Sequence, residues 1–205
     1  MKKTAWIGVA GFVVLVGFAV AGGYNRLVGL QQGVEAQWAQ VENTYQRRAD
    51  LVPNLVATVK GSAKFEQETL REVVEARARV GQVQPTAGSP GAAAGGAPTN
   101  PAELQKYQQA QDQLSGALSR LLVVVERYPD LKSTAAFRDL QAQLEGTENR
   151  IAVERMRFNE QARAYNAARS SFPTVLVANL FGARFAPKAY FQAQPGATTA
   201  PHVQF

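Results

Sequence analysis

The residues of this chain that could do chemistry fall in two blocks. The first is Arg47, Arg48 and Asp50. The second is the stretch Thr147 to Asn166, which carries Glu148, Asn149, Arg150, Glu154, Arg155, Asn159, Glu160 and Asn166. Carboxylates so spaced could pair across helices, Glu148 with Glu154 or Glu160. A dimetal centre in a helical bundle also needs Glu-x-x-His, and the single histidine, His202, lies in the terminal stretch. The chain has no cysteine, no Gly-rich phosphate loop, no HExxH and no GxSxG. We therefore expect no catalytic residue, no metal and no cofactor.

Arginines opposite carboxylates can instead hold helices together. Arg47, Arg48 and Asp50 are the natural partners of Glu148, Glu154 and Asn159. Removing such charges from water costs several kcal/mol, roughly, which only paired and hydrogen-bonded partners offset. Two uses follow: a polar layer that sets helix register, as buried amides do in coiled coils, or a ligand or partner site made of the same groups. The layer is the expectation, because structural ion-pair networks imitate functional ones.

Both blocks sit on heptad helices. Phe137, Leu144, Ile151, Phe158, Tyr165 and Phe172 recur every seven residues, which returns to one helix face after two turns and marks a buried seam. Tyr24, Leu27, Gln31, Val34, Trp38, Val41 and Tyr45 step by three and four, and the seam continues through Val52, Leu55 and Val59. Pro53 interrupts this helix, which either kinks there or restarts with Asp50 as cap; the retained register favours a kink. Glu66 to Arg79 reads as a charged helix with a thinner apolar face, a less buried hairpin end. Asn100-Pro101 followed by Glu103 is a helix start, and Leu104, Tyr107, Gln111, Leu114, Leu118, Leu121, Val125 and Tyr128 form its seam. Pro129 ends it, and Ser133 or Thr134 caps the helix that follows. So short a connection makes the two helices antiparallel neighbours. An aromatic followed by asparagine occurs at Tyr24-Asn25, Phe158-Asn159 and Tyr165-Asn166, placing an amide beside the seam where it can bond a neighbouring backbone or side chain.

The ends are of different composition. Thr4 to Asn25 carries no charged side chain, and twenty-two helical residues span about 33 Å, enough to cross a bilayer. Lys2 and Lys3 precede it and only Arg26 follows closely, so the body is expected on the extracytoplasmic side. A cleaved signal peptide, with Ala19-Val20-Ala21 as its small-residue triplet, is the rival; a heptad pattern starting almost at once favours a retained anchor. Residues 81–101 are uncharged and rich in Gly, Pro and Ala, and we expect a mobile loop. After Pro173 a short apolar helix ends at Gly182, with Phe181, Phe185, Tyr190 and Phe191 around it. This segment either packs on the bundle or lies in the membrane interface with Arg184 and Lys188 snorkelling; packing is expected, since antiparallel topology need not return it to the bilayer. Residues 192–205 read as a disordered tail.

The net charge of +6 raises the question of nucleic acid. Its distribution answers it: residues 26–80 hold eight basic and seven acidic groups, and residues 101–172 hold ten and nine. A mixed-sign surface lacks the single-sign stripe that phosphates need, so nucleic acid is not an expected partner.

Long stretches of the chain resemble the LemA family of bacterial membrane-anchored helical proteins. They are Tyr24 to Val28, Trp38, RRADLVPNLVATVKG from Arg47 to Gly61, ERYPDLK from Glu126 to Lys132, TENRIAVER from Thr147 to Arg155, Phe158-Asn159, Tyr165-Asn166, Phe172-Pro173 and Tyr190-Phe191. The chain departs from the pattern in its long loop at 81–101 and at Glu154-Arg155-Met156, where a more basic run is common. The resemblance implies an amino-terminal transmembrane helix and an antiparallel helical bundle, and it brings no established enzyme activity.

The expectation is thus an all-α protein. Its anchor, residues 1–25, continues into an elongated antiparallel bundle over 26–191, with three long helices and a short carboxy-terminal one. The expected function is a non-enzymatic, single-pass scaffold or interaction module of the bacterial cell membrane, with a protein partner or self-association. A sensor binding a small ligand in the polar layer and a self-assembling membrane coat are the alternatives.

Overall fold

The computed structural model describes residues 2–61, 66–83 and 96–192, and every regular element among them is helical. Helix α1 (Lys2–Lys60) is followed by α2 (Gln67–Gln82), α3 (Pro101–Val125), the single turn α4 (Pro129–Lys132), α5 (Ala135–Ser170) and α6 (Thr174–Leu180). A short 3-10 turn spans Gly182–Phe185. The expected loop over 81–101 lies mostly outside the described residues, as does the tail beyond Gln192.

The helices form two close antiparallel pairs, α1 with α5 and α2 with α3. Arg48 meets Glu148 while Gln37 meets Glu154, and Arg79 meets Gln113 while Arg120 meets Glu72, so partners run in opposite directions within each pair. Larger side chains bridge the pairs: Trp38 and Tyr45 of α1 both contact Tyr107 of α3. This is an up-down-up-down bundle, in which consecutive long helices run antiparallel. At about 1.5 Å per residue, the 59 residues of α1 make a rod of about 88 Å.

Local signals explain the boundaries. The Asn100 side chain accepts from the Ala102 amide at 2.9 Å with Pro101 in the first turn, and the Thr134 hydroxyl accepts from the Phe137 amide at 3.3 Å. Gly182 adopts a left-handed φ of 51°, where a side chain would be strained.

One open choice is settled and three expectations are corrected. Helix α1 neither restarts nor is capped at Asp50, which is exposed and accepts from Gln46 one turn back. Pro53 lacks the amide that would bond the Ala49 carbonyl; the Arg77 side chain supplies that donor instead, Nε to O at 2.9 Å. Helix α2 is no less buried than the rest, since Leu70, Val73, Ala76 and Val80 all enter the core against α3. The seven-residue seam of α5 buries Phe137, Leu144, Ile151, Phe158 and Tyr165 but not Phe172, which is 81% exposed. The helix ends at Ser170, and helical periodicity has no meaning past that point.

Finally, the antiparallel topology does return the chain to α1's amino-terminal half. Val177 of α6 packs on Gly23, where a Cβ would come within 3.1 Å of its methyl group. Helix α6 therefore packs on the bundle, as expected, and does so beside the anchor.

Candidate functional site

Arg48 is the hub of a polar cluster halfway along the bundle. It is 1% exposed, and its stem rises from α1 between the α3 and α5 faces. Nη1 donates to Glu148 Oε1 at 2.6 Å and to Ser115 Oγ at 2.5 Å. Nη2 donates to the Gln111 carbonyl at 3.1 Å and to the Gln111 side-chain oxygen. Ser115 donates to the same Glu148 oxygen at 3.1 Å, so the carboxylate gathers two bonds while its side chain stays 41% exposed. The guanidinium also lies over the Tyr45 ring, 5.3 Å from its centroid. Arg48 Nε and the Tyr45 hydroxyl are buried with no hydrogen-bond partner among the described residues. Burial pushes the Tyr45 hydroxyl up to about 12, against the nearby Arg155 and Arg48 charges, and raises Tyr107 as well. A charge-assisted cluster of this kind orients helices strongly.

A second group lies on the anchor side of the first. Glu154 is buried; its Oε2 accepts from Gln37 at 2.7 Å and its Oε1 from Arg157 at 3.2 Å. Arg155 reaches Asp112 across α3 at 3.7 Å and covers the Phe191 ring at 4.7 Å.

The third group grips the chain's own carboxy-terminal segment. Residues 186–192 run without helix along α5, and each exposed amide and carbonyl needs a partner. The Asn166 side chain donates to the Lys188 carbonyl at 2.8 Å and accepts from its amide at 2.9 Å. Seven residues earlier, Asn159 does the same for Phe191, both bonds at 2.9 Å. Gln108 of α3 clasps Gln192 in the same two-bond way, at 2.7 and 3.3 Å. The Tyr165 hydroxyl and Arg169 hold the Ala186 and Phe185 carbonyls at 3.2 and 2.5 Å. On the outer side the Ala189 amide bonds the Pro98 carbonyl at 3.0 Å, so residues 96–100 of the supposed loop are ordered against this strap. Phe185, Ala189 and Phe191 point into the core, where Phe191 meets Trp38 and Phe158. Lys188 is buried too. Its ammonium lies 3.5 Å from the Ala97 carbonyl and 4.0 Å from Glu35, and burial lowers its affinity for a proton while Glu35 partly restores it.

The eleven residues singled out from sequence are thus distributed, with Glu160 exposed on the surface. Arg48 and Glu148 meet; Glu154 and Arg155 find other partners; Asn159 and Asn166 hold the strap. Arg47 and Arg150 flank a shallow groove between α1 and α5 lined by Gln40, Thr44, Gln143 and Thr147. Asp50 and Asn149 are on the surface. Arg47 and Asp50 do not join the Arg48 cluster because they flank it on the solvent side of α1. Sequence reasoning did not assign Gln111, Ser115, Gln37, Gln108 or Arg77 to these contacts. Gln111 alone carried a signal, an amide in an otherwise apolar seam. Among the described residues, no group of three carboxylates, histidines or cysteines converges where a metal could bind. A groove of about 690 Å³ between α2 and α3 is lined by Glu72, Glu75, Arg79, Asp112 and Arg120, opposite charges side by side.

Comparison with known proteins gives one consistent result. The pattern that defines the LemA family matches residues 37–205. The magnetosome protein MamQ of Magnetospirillum gryphiswaldense is 28% identical over 194 residues, covering 86% of this chain and 67% of that protein. MamQ 2 of Paramagnetospirillum magneticum is 27% identical over 195 residues, with the same coverage. Protein LemA of Metamycoplasma hominis is 23% identical over 170 residues, covering 82% of this chain and 70% of that protein.

Proposed function

Taking as premise that this chain belongs to the LemA family, we propose that it is a non-enzymatic, single-pass membrane protein. In this reading the helical rod is a scaffold or interaction module on the extracytoplasmic side of a bacterial cell membrane. One observation carries it. Helix α1 is a single element whose first part exposes Trp6, Ile7, Phe12, Val13, Leu15 and Phe18, while its later turns supply Leu27, Val34, Trp38 and Val41 to the core. So much bare apolar surface is unfavourable in water and matched to lipid. With no break between the two parts, the bundle is carried directly on the membrane segment. The mixed-sign faces of the helices support a structural role.

The reading is tested in cells. The chain has no cysteine, so Ala136→Cys, on the exposed start of α5 far from the anchor, gives a single reactive site. Expected are retention in the membrane pellet after an alkaline wash and labelling of intact cells by a membrane-impermeant maleimide. Release by the wash would overturn the anchor. Labelling only after lysis would place the bundle in the cytoplasm.

A further inference from the structure

We propose that α6, with Phe172 and Phe181, is a second membrane contact that seats the base of the bundle in an anionic bilayer surface. The proposal rests on the reading of α1 as a membrane anchor. It comes from a patch that the bundle leaves uncovered. Helix α6 buries Thr174, Val177 and Ala178 against α1 and α5, and turns Leu176 (60% exposed) and Leu180 (73%) outward; Phe172, in the turn before the helix, is exposed as well. Leu176 and Leu180, four residues apart, share one face of α6. Phe181 extends the patch, its ring 5.0 Å from that of Tyr24 on α1. A cluster of large apolar side chains on an outer face is a surface awaiting a partner.

The position of the patch indicates which partner. Helix α6 lies on Gly23, five residues beyond Phe18, where the exposed apolar surface of α1 ends. At about 1.5 Å per residue that places the patch about 7.5 Å further along the same axis, at the depth of a bilayer's headgroup boundary. The apolar surface of the anchor and that of α6 are therefore continuous. The charges agree: no aspartate or glutamate occurs after Glu160 or between residues 19 and 34, whereas Arg26, Arg163, Arg169 and Arg184 all fall in these stretches. Arg184 stands over the Tyr24 ring at 5.4 Å, its head in solvent. An apolar patch bordered by cations alone is the composition of an interfacial helix on anionic lipid. A protein partner would not require acids to be missing from the whole end of the bundle. Two contacts, one spanning and one lying in the interface, would hold the rod at a set angle to the membrane.

The test uses the full chain in vesicles of phosphatidylcholine and phosphatidylglycerol. Single cysteines at Leu176, Leu180, Leu15 and Ala136 each carry a polarity-sensitive nitrobenzoxadiazole dye, and lipids brominated at shallow or deep acyl positions act as quenchers. Leu176 and Leu180 are solvent-exposed, so the substitutions leave the fold intact. Expected are loss of at least half of the emission at 176 and 180 with shallow bromines, quenching at 15 with deep ones, and none at 136. Quenching at 15 without quenching at 176 and 180 would overturn the inference and leave the anchor standing. Emission at 176 and 180 shifted to the blue without quenching would mean that protein, such as a second copy, covers α6, and would overturn it too. No quenching at 15 would remove the anchor and this inference together.

Discussion

The two halves of the bundle solve the same packing problem with different residues. The half far from the anchor is filled by Leu51, Leu55, Val59, Leu70, Val73, Leu114, Leu118, Leu121 and their neighbours, with Phe137 the one fully buried ring among its described residues. The half near the anchor is filled by Trp38, Tyr45, Tyr107, Phe158, Tyr165, Phe185 and Phe191. The boundary falls at about the same level on three helices: between Tyr45 and Leu51 on α1, Tyr107 and Ala110 on α3, Leu144 and Ile151 on α5. Arg48, Gln111 and Glu148 occupy that level. Where every wall is a helix, aliphatic heptads close the core and the helical backbone bonds within itself, the Ala49 carbonyl below Pro53 excepted. Where a wall is an irregular strap, large rings fill the wider space, and side-chain amides must serve a backbone that has no helix of its own.

The largest expected effect is at the boundary. Arg48→Ala empties a fully buried site and leaves Ser115 and Gln111 without their donor, while the half-exposed Glu148 is solvated, and should lower unfolding free energy by about 3 kcal/mol in urea titrations. Joining the two cores with the pair Arg48→Met and Glu148→Leu should recover most of that loss. If the double variant is as unstable as Arg48→Ala, the cluster is not the divider described here.

Next come the strap's clasps. Asn159→Leu and Asn166→Leu should each lower stability by about 1–3 kcal/mol, the range for a buried group left without its hydrogen bonds. Hydrogen exchange should accelerate at the Phe191 amide in the first and at the Lys188 amide in the second. Exchange in α2 and at the α4 end of α5 should be unchanged. Uniform acceleration through both halves would show that they do not behave as separate packing regions.

A smaller effect is expected in the aliphatic half, at the carbonyl that Pro53 leaves without its helical donor. Arg77→Met strips the donor from the Ala49 carbonyl and should cost about 1 kcal/mol. With Pro53→Ala a helical amide is available again, so Arg77→Met should then cost less. Equal losses in both backgrounds would remove the compensating role from Arg77.

The smallest effect at neutral pH belongs to the aromatic half and grows only in alkali. Burial holds the Tyr45 and Tyr165 hydroxyls up to about 12, and Tyr107 is raised in the same direction. An unfolded tyrosine ionises near pH 10, so this stabilisation is complete below about pH 10 and lost as pH rises through 12. Lys188 acts in the opposite sense: its lowered value is a burden on the fold that eases as pH rises toward 10.5. Melting temperature followed from pH 9 to 12 should therefore fall chiefly above pH 10. Tyr45→Phe should flatten the fall and, since that hydroxyl has no partner, leave stability at pH 7 unchanged or slightly higher.

Much of this was present in the chain read alone. The seven-residue recurrence from Phe137 to Tyr165, the seam from Leu27 to Val59, and the caps at Asn100 and Thr134 are local patterns, because a helix relates residues only a few positions apart. The asparagines after Phe158 and Tyr165 were legible as amides that would bond a neighbouring backbone. Which backbone was not, because Lys188 and Phe191 lie more than twenty residues away and nothing local encodes their arrival. The same holds for Arg77 under Pro53, for Ser115 and Gln111 around Arg48, and for the return of α6 to Gly23. Heptads determine which face of a helix is buried, but not which helix faces it or at what height. Those choices depend on how several seams fill space together, and that was settled only when the helices packed.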